Sequence, residues 1–353
     1  VKILGIETSF DETAVAVVED GYRLLSNVVN SSIDLHVAYG GVVPEIAARS
    51  HIEAMMPAVE QALAEARCTW DDIDGIAITY GAGLGGSLLV GVLTARTLAI
   101  LKHKPLYACN HVEGHIYVNF LTKTALPGYQ LPAQAPQFPI LGLIVSGAHS
   151  QLVFWRDHFD YTLLGQTHDD AIGEAFDKVA KLLGLPYPGG PSVSLKAQEG
   201  DAQAYRFPKA RLQAKYDFSF SGVKTAVLRT AQAEIGETHE FPSSGLAQRL
   251  SDAQKANIAA SFQRIAVETV VDKTVQAAEE FQPKSILIGG GVAASPELRR
   301  QLAERLPSPP LYTDPKLCTD NGAMIATLGS YHIKLGRPPA DPYTLDIAPN
   351  LSM

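Results

Sequence analysis

Ile3-Leu4-Gly5-Ile6-Glu7 and, much later, Ile140-Leu141-Gly142-Leu143-Ile144-Val145 both open on Ile-Leu-Gly and run as apolar stretches of strand length. The first breaks at Thr8-Ser9-Phe10-Asp11-Glu12 and resumes as Thr13-Ala14-Val15-Ala16-Val17-Val18. The second breaks at Ser146-Gly147-Ala148-His149-Ser150 and resumes as Gln151-Leu152-Val153-Phe154. Each is a β-hairpin pattern with a short polar tip. Two copies suggest an internal duplication and two similar lobes; chance likeness between two apolar strands is the alternative.

Helical patterns follow each hairpin. Over 45–66, apolar residues at Ile46, Ile52, Met56, Val59, Ala62 and Leu63 describe a helix begun after Pro44. A strand over 74–80 runs into Gly81-Ala82-Gly83-Leu84-Gly85-Gly86 and another helix. A helix over 173–183 is stopped by Gly184, Pro186 and Pro188. Residues 187–251, rich in Pro, Gly, Ser and charge, read as an insertion with short helices of its own. A long helix over 254–281 and a strand over 284–288 complete an α/β pattern with mixed sheets. The expected division is a lobe at 1–136 joined by a C-terminal helix at about 322–336, a lobe at 137–321, and a tail at 337–353.

With 353 residues, 46% of them hydrophobic and 19% charged, the chain has enough material for two lobes and a substantial core. Its first residues enter a strand pattern directly, with no signal-peptide profile. The most apolar window, 88–101, contains Arg96 and is expected to be too short to span a bilayer, so no membrane partner is expected. Cys68, Cys109 and Cys318 are scattered and odd in number, which favours a reducing compartment, the cytoplasm by default. A net charge of −8 argues against a surface that gathers nucleic acid unaided. The local exception is Arg206, Lys209, Arg211, Lys215 and Lys224, interleaved with Tyr205, Phe207, Tyr216, Phe218 and Phe220; a solvated positive face and a nucleic-acid contact both fit it.

Two motifs suggest ligands. Ser285 to Leu298 is a strand, the triple-glycine turn Gly289-Gly290-Gly291, and a helix with Ser295 at the N-cap and Pro296 in its first position. Such a turn brings backbone close to a flat ligand or offers N–H groups to an anion, or it is a tight connection with no ligand. Neither it nor Ser146-Gly147-Ala148 has P-loop or Rossmann spacing. The second motif, Asn110-His111-Val112-Glu113-Gly114-His115, sets two histidines four apart. Ten histidines in 353 residues give about 0.3 such pairs by chance, so the pair alone is weak. A zinc protease needs glutamate directly after the first histidine; Val112 stands there, and Glu113 is turned about 100° further round a helix.

The hairpin loops and the triple-glycine turn together resemble the superfamily of actin, sugar kinases and heat-shock chaperone ATPases. Within it the likeness is closer still. "GIETSFDET", "YGGVVPEIAAR", "NHVEGH", "VSGAHSQL", "DDAIGEAFDKVAKLLGLPYPGGP", "FSFSGVKTA", "IGGGVAAS" and "CTDNGAMIA" stand in the order and spacing of the TsaD-type tRNA threonylcarbamoyladenosine synthases, over nearly the whole chain. This resemblance implies a duplicated two-lobe actin-like ATPase fold, with a mixed sheet in each lobe and a ligand cleft between them. It implies transfer of a threonylcarbamoyl group from threonylcarbamoyl-adenylate to the adenosine 3′ of the anticodon, in tRNAs reading codons that begin with A. It also implies one divalent ion, iron or zinc, on His111, His115 and Asp320. The adenylate is then expected on Ile144, Val145, Ser146, Gly147 and Ala148, with Asp177 on the ribose, Gly190 giving close approach, and Gly290 to Ser295 beside the base. Asp11 and Glu12 are the expected proton acceptors, though acidic residues also serve hairpin tips as plain turn formers.

The same likeness implies an assembly, in bacteria with a TsaB-like paralogue and a TsaE-like ATPase. The acidic net charge places the expected tRNA contact at Lys209, Arg211 and Lys215 in the insertion, or on partner subunits. Departures are Phe10 for a cysteine, Ala148 for a glycine, Ser150 for threonine, Ser295 for asparagine and Ala82 for proline. The rival readings are a small-molecule kinase of the same fold, against which the His-His-Asp set stands because Mg²⁺ prefers oxygen, and a non-catalytic scaffold.

Overall fold

The opening hairpin is β1 (Lys2–Glu7) and β2 (Glu12–Glu19), antiparallel, with Glu7 opposite Ala14. Ile3 to Glu7 are all buried, because helices cover both faces of this sheet. Leu4 and Ile6 join a core with Met55, Ala58 and Val92, whereas Gly5 faces the other way. The computed structural model describes residues 1–353, all of the chain, and they form two compact units. Unit 1 is Val1–Pro136 with Tyr312–Met353, and unit 2 is Gln137–Leu311.

In unit 1 the sheet adds β3 (Arg23–Ser31), β4 (Gly75–Gly81), β5 (Leu106–Asn110) and β6 (Lys123–Thr124), in the order β5-β4-β1-β2-β3-β6. Its helices are α1 (Ile33–His36), α2 (Pro44–Glu65), α3 (Gly85–Lys102), α4 (His111–Tyr117) and α11 (Gly322–Lys334). Pro44 takes the first turn of α2, where its missing N–H costs nothing. α11 lies close on β1 and β2. A Cβ on Gly5 would come within 2.3 Å of Ala326 N, so only glycine admits the helix at that distance.

Unit 2 repeats the arrangement. β7 (Ile140–Val145), β8 (Ser150–Asp157), β9 (Asp160–Gln166), β10 (Ser285–Gly289) and β11 (Leu311–Tyr312) run in the order β11-β10-β7-β8-β9. In each unit the first strand pairs antiparallel with the second and parallel with the fourth. The duplication suggested by the two Ile-Leu-Gly runs is therefore present in strand order and direction. α5 (Ile172–Leu183) ends at Gly184, whose φ of 70° suits a left-handed cap. The insertion supplies α6 (Gly189–Ala197), α7 (Ser221–Glu234) and α8 (Leu246–Arg249); α6 and α7 pack on α9 (Asp252–Phe281), and α10 (Pro296–Arg305) follows β10.

Two expectations shift. The unit boundary falls after Leu311, ten residues before the expected 321. Asp314 accepts the N–H of Gln130 at 2.6 Å, and Asn321 caps α11 by accepting from Met324 N at 3.1 Å, which ties this segment to unit 1. The second concerns α3, whose 18 residues are apolar and long enough by composition to cross a membrane. Here Leu88, Val92, Ala95 and Ala99 are buried in unit 1, and Arg96 donates to the carbonyls of Pro342, Tyr343 and Leu345 in the C-terminal tail.

Candidate metal centre and acidic hairpin tip

α4 begins where β5 ends. Asn110 accepts from Val112 N at 2.8 Å and caps the helix, so His111 occupies its first position and His115 stands one turn later on the same side. Gly114 lets α4 approach α11, since a Cβ there would meet Ile325 Cδ1 at 3.1 Å. Asp320 comes from the turn before α11. His111 Nε2 is 3.6 Å and His115 Nε2 3.3 Å from Asp320 Oδ1, and one ligand atom from each residue lies within 4.8 Å of the other two. The two rings meet edge to face, 4.8 Å between centroids. The rings are buried, 1% and 0% exposed, and the Asp320 side chain at 16% is the open side.

These residues fit a divalent ion. Both ring nitrogens of His115 are buried without a hydrogen bond, which is costly unless another partner takes a lone pair. His111 is oriented from behind: its Nδ1 lies 3.0 Å from Ser9 Oγ and 3.3 Å from Glu7 Oε2. An Nδ1 proton directed at Glu7 leaves the Nε2 lone pair on the Asp320 side. Glu7 is itself fixed, accepting from Ser9 N at 2.6 Å and Thr79 Oγ1 at 2.5 Å. Glu113 is not part of this cluster; its charge acts on Tyr80 and Cys109 instead.

The first hairpin tip sits beside these groups and is held from outside the hairpin. Ser9 O accepts from Leu84 N at 2.8 Å. Phe10 O accepts from Ser87 Oγ at 3.1 Å and lies 2.9 Å from His51 Nε2, while His51 Nδ1 lies 2.8 Å from Thr13 Oγ1. Asp11 O accepts from Ser32 N at 3.0 Å and Ser32 Oγ at 2.9 Å, and Ser32 Oγ is 3.1 Å from His36 Nε2. Val43 N donates to His36 Nδ1, so His36 carries its proton on Nε2. The Phe10 ring packs edge-on against His111 at 5.3 Å.

Charge at the tip is dominated by carboxylates. Glu12 is pushed up to about 10 by burial first, then by Asp320 and Asp11. Asp11 is also raised, burial again leading and Asp320 adding to it, against a hydrogen bond with Glu12. His111 reaches about 9: burial acts to lower it, and the Asp320 and Glu7 carboxylates override that. All three shifts favour the protonated form, the two hairpin carboxyls chiefly through burial and His111 through the carboxylates beside it.

Unit 2 holds the residues expected around an adenylate. Ile144 and Val145 are buried strand residues with ladder partners in β8, and they carry the tip rather than present side chains. Ser146 Oγ accepts from Ala148 N at 3.3 Å and His149 N at 3.0 Å, closing the turn. Ala148 keeps a negative φ, so its Cβ needs no left-handed backbone. Gly290, with φ 89°, backs directly onto this tip: a Cβ there would lie 2.3 Å from Val145 O. Asp177 Oδ1 accepts from Gly189 N at 2.7 Å, bringing the expected ribose carboxylate to the turn that holds Gly190. A Cβ at Gly190 would meet nothing within 4 Å. The Ser295 hydroxyl accepts from Leu298 N at 3.4 Å and serves as the α10 cap.

Of the insertion's basic residues, Lys209 pairs with Glu268 at 3.0 Å and Asp272 at 2.6 Å, and Lys215 pairs with Glu280; Arg211 is exposed. Much of that stretch's charge is spent locally. Sequence reasoning passed over Glu7, Ser9, His36 and His51. Glu7 had a signal, a carboxylate closing the buried apolar run Ile3 to Ile6, and so did His51, which shares the apolar face of α2 with Ala47, Met55 and Ala58. Nothing in local pattern marked Ser9 or His36.

Comparison with known proteins adds three findings. A family model described as TsaD, tRNA N6-adenosine threonylcarbamoyltransferase, matches residues 23–327. The tRNA N6-adenosine threonylcarbamoyltransferase of Thermomicrobium roseum is 49% identical over 341 residues, covering 95% of this chain and 92% of that one; that of Desulfitobacterium hafniense is 47% identical over 359 residues, covering 100% and 98%. Among solved structures, full-length HypF in its phosphate- and nucleotide-bound form aligns with a TM-score of 0.59 and 13% identity, over 96% of this chain and 56% of that one, a likeness of fold alone.

Proposed function

The chain belongs to the tRNA N6-adenosine threonylcarbamoyltransferase family, and from that membership we propose how its two units divide the reaction. The enzyme transfers a threonylcarbamoyl group to N6 of an adenosine in tRNA. We take the donor to be threonylcarbamoyl-adenylate and the acceptor to be the adenosine 3′ of the anticodon in tRNAs reading codons that begin with A. The amine nitrogen attacks the carbonyl carbon of the donor. The bond from that carbon to the phosphate oxygen breaks, AMP leaves with the bonding pair, and the amine gives up a proton.

Asp11 and Glu12 are the proposed proton acceptors. The clamped carbonyls of Phe10 and Asp11 fix where the carboxylates stand, and Asp11 suits the step better, since Glu12, pushed up to about 10, already holds a proton at neutral pH. Ser146, Gly147 and Ala148 with Gly290 are the proposed seat of the AMP phosphate, where the open side of Gly147 admits a close approach to the backbone. Asp177, Gly190 and the turn to Ser295 would receive ribose and base. His111, His115 and Asp320 would hold one divalent ion, iron or zinc, which when bound supplies a Lewis acid for a phosphate oxygen.

For tRNA, Lys209, Arg211 and Lys215 remain a candidate contact, with Arg211 contributing most because the lysines are already paired. A protein partner is supported by exposed Ile52 and Met56 on α2 and Leu89 and Leu93 on α3, two outward apolar pairs on helices that pack together. We assign that face to a TsaB-like paralogue, with a TsaE-like ATPase completing the assembly, and place the enzyme in the cytoplasm with its tRNA.

The observation that carries this reading is the convergence of His111, His115 and Asp320 beside Asp11 and Glu12 at the end of the β1–β2 hairpin. The test is nucleoside analysis of tRNA incubated with the reconstituted enzyme and threonylcarbamoyl-adenylate. Threonylcarbamoyl on the adenosine 3′ of the anticodon is expected, with equimolar AMP; AMP release without modified tRNA overturns the assignment.

A further inference from the structure

Lys123, Lys316 and Lys334, all exposed and all in unit 1, form no ion pair, unlike Lys178, Lys196, Lys209, Lys215 and Lys224. Each instead lies over an aromatic ring. Lys123 is 5.3 Å from the centroid of Tyr22, Lys316 is 5.0 Å from that of Tyr129, and Lys334 is 4.9 Å from that of Tyr331 and 5.8 Å from that of Tyr22. A ring face fixes an ammonium group without cancelling its charge.

The three lysines surround the outer edge of the unit 1 sheet, where the two-residue strand β6 pairs with the start of β3. A pocket of about 510 Å³ opens there, lined by Arg23, Thr122, Lys123, Thr124 and Tyr129 among others. The carboxylates near this edge are fewer than its cations, and the Lys334 charge also acts on Asp20. Glu19 pairs with Arg23 at 3.0 Å, Asp20 takes the N-terminal amine at 2.7 Å, and the buried Asp314 accepts from Gln130 N and Lys316 N. Lys334 donates to the Asp20 carbonyl, which carries no charge to neutralise it. In a chain of net charge −8, this edge therefore keeps a local excess of fixed positive charge.

We propose that this pocket is a second tRNA contact, in which backbone phosphates seat on Lys123 and Lys316, with Lys334 and Arg23 at the margin. The proposal rests on tRNA being the substrate, and it supplies what the paired insertion lysines lack. Lys316 lies in the 3₁₀ turn Pro315–Leu317, just ahead of the proposed metal ligand Asp320. A phosphate held there ties the tRNA body to the segment that completes the metal site. Thr122 lines the same pocket and its hydroxyl suits a phosphate oxygen by chemistry, whereas that of Thr124 donates to the Leu24 carbonyl at 3.0 Å.

The test is the full chain carrying Lys123→Glu and Lys316→Glu, with Lys123→Gln and Lys316→Gln as a milder pair in case charge reversal disturbs folding. Affinity for unmodified tRNA is read by fluorescence anisotropy across a salt series, and AMP binding by calorimetry. The reversal is expected to weaken tRNA binding roughly tenfold or more and to flatten the salt dependence by about one to two units of slope, with AMP binding unchanged. In the reconstituted assembly, KM for tRNA should rise by a similar factor while kcat holds. The glutamine pair should show the same direction with a smaller size. Wild-type tRNA affinity and slope in both pairs overturn the proposal, and loss of partner assembly in that circumstance assigns the pocket to an acidic protein. Failure of the wild-type assembly to modify tRNA at all would instead strike the enzymatic reading itself.

Discussion

The two hairpin tips are copies of one element, and they have diverged in opposite directions. The first, Thr8 to Glu12, carries two carboxylates, and side chains from α2, α3 and the segment after β3 grip its carbonyls. The second, Ser146 to Ser150, carries no carboxylate; Ser146 closes it from within, and Gly290 backs it with bare backbone. The first sets acids beside two imidazoles, as the proposed ion and proton transfer require; the second is a compact turn whose Ala148 and His149 N–H groups are held by Ser146. Duplication supplied the same bend twice, and the residues on each bend give it a different chemical character.

The sharpest way to break this comparison is to remove the metal ligands. His111→Ala or Asp320→Ala should abolish bound metal and transfer together, with AMP binding at the second tip retained; full transfer by a metal-free double variant would remove the ion from the mechanism. Next in size, Asp11→Asn should lower kcat on the order of 100-fold while metal content and KM for tRNA hold, the loss expected for a positioned general base. Metal content is read by plasma emission spectrometry, so a fall in metal would show that Asp11 supports the ion instead. On the other tip, Ser146→Ala removes the hydroxyl that closes the turn and, by loosening its backbone, should weaken AMP binding by about 1–2 kcal/mol, with metal content unchanged. Equal affinity for AMP would show that the serine does not organise that turn.

The smallest effect concerns the clamp on the first tip. Burial holds His51 below its ordinary value of 6.5. The unfolded chain takes up a proton near 6.5 while the folded chain resists, so the stability owed to neutral His51 is intact above that pH and declines as pH falls below it, towards the lowered folded value. His51→Asn should therefore show a shallower fall of Tm between about pH 7 and pH 5 than the parent chain. Parallel curves would mean that His51 does not titrate with unfolding.

Much of this was legible from residues alone, though unevenly. Strand periodicity located both hairpins, because burial on two faces leaves continuous apolar runs such as Ile3 to Ile6. The His111–His115 spacing signalled a shared helix face, and family resemblance supplied Asp320, which no local rule links to them. The supporting groups were harder to read. Glu7, His36 and His51 come from three separate elements, and their roles depend on packing that spacing does not encode. At Lys209 and Lys215 the sequence showed the basic run but not the acids that a distant helix brings alongside. The free lysines at β6 drew no notice because they are scattered in sequence.

Unit 1 is discontinuous, and α11 reaches it only after the whole of unit 2 has been translated. On the ribosome, the side of β1 and β2 around Gly5 stays bare while residues 137–311 emerge, and unit 2, being contiguous, can close its core first. A nascent chain that stalls before Lys334 thus displays an uncovered sheet without a finished ion site, the kind of surface chaperones and proteases recognise.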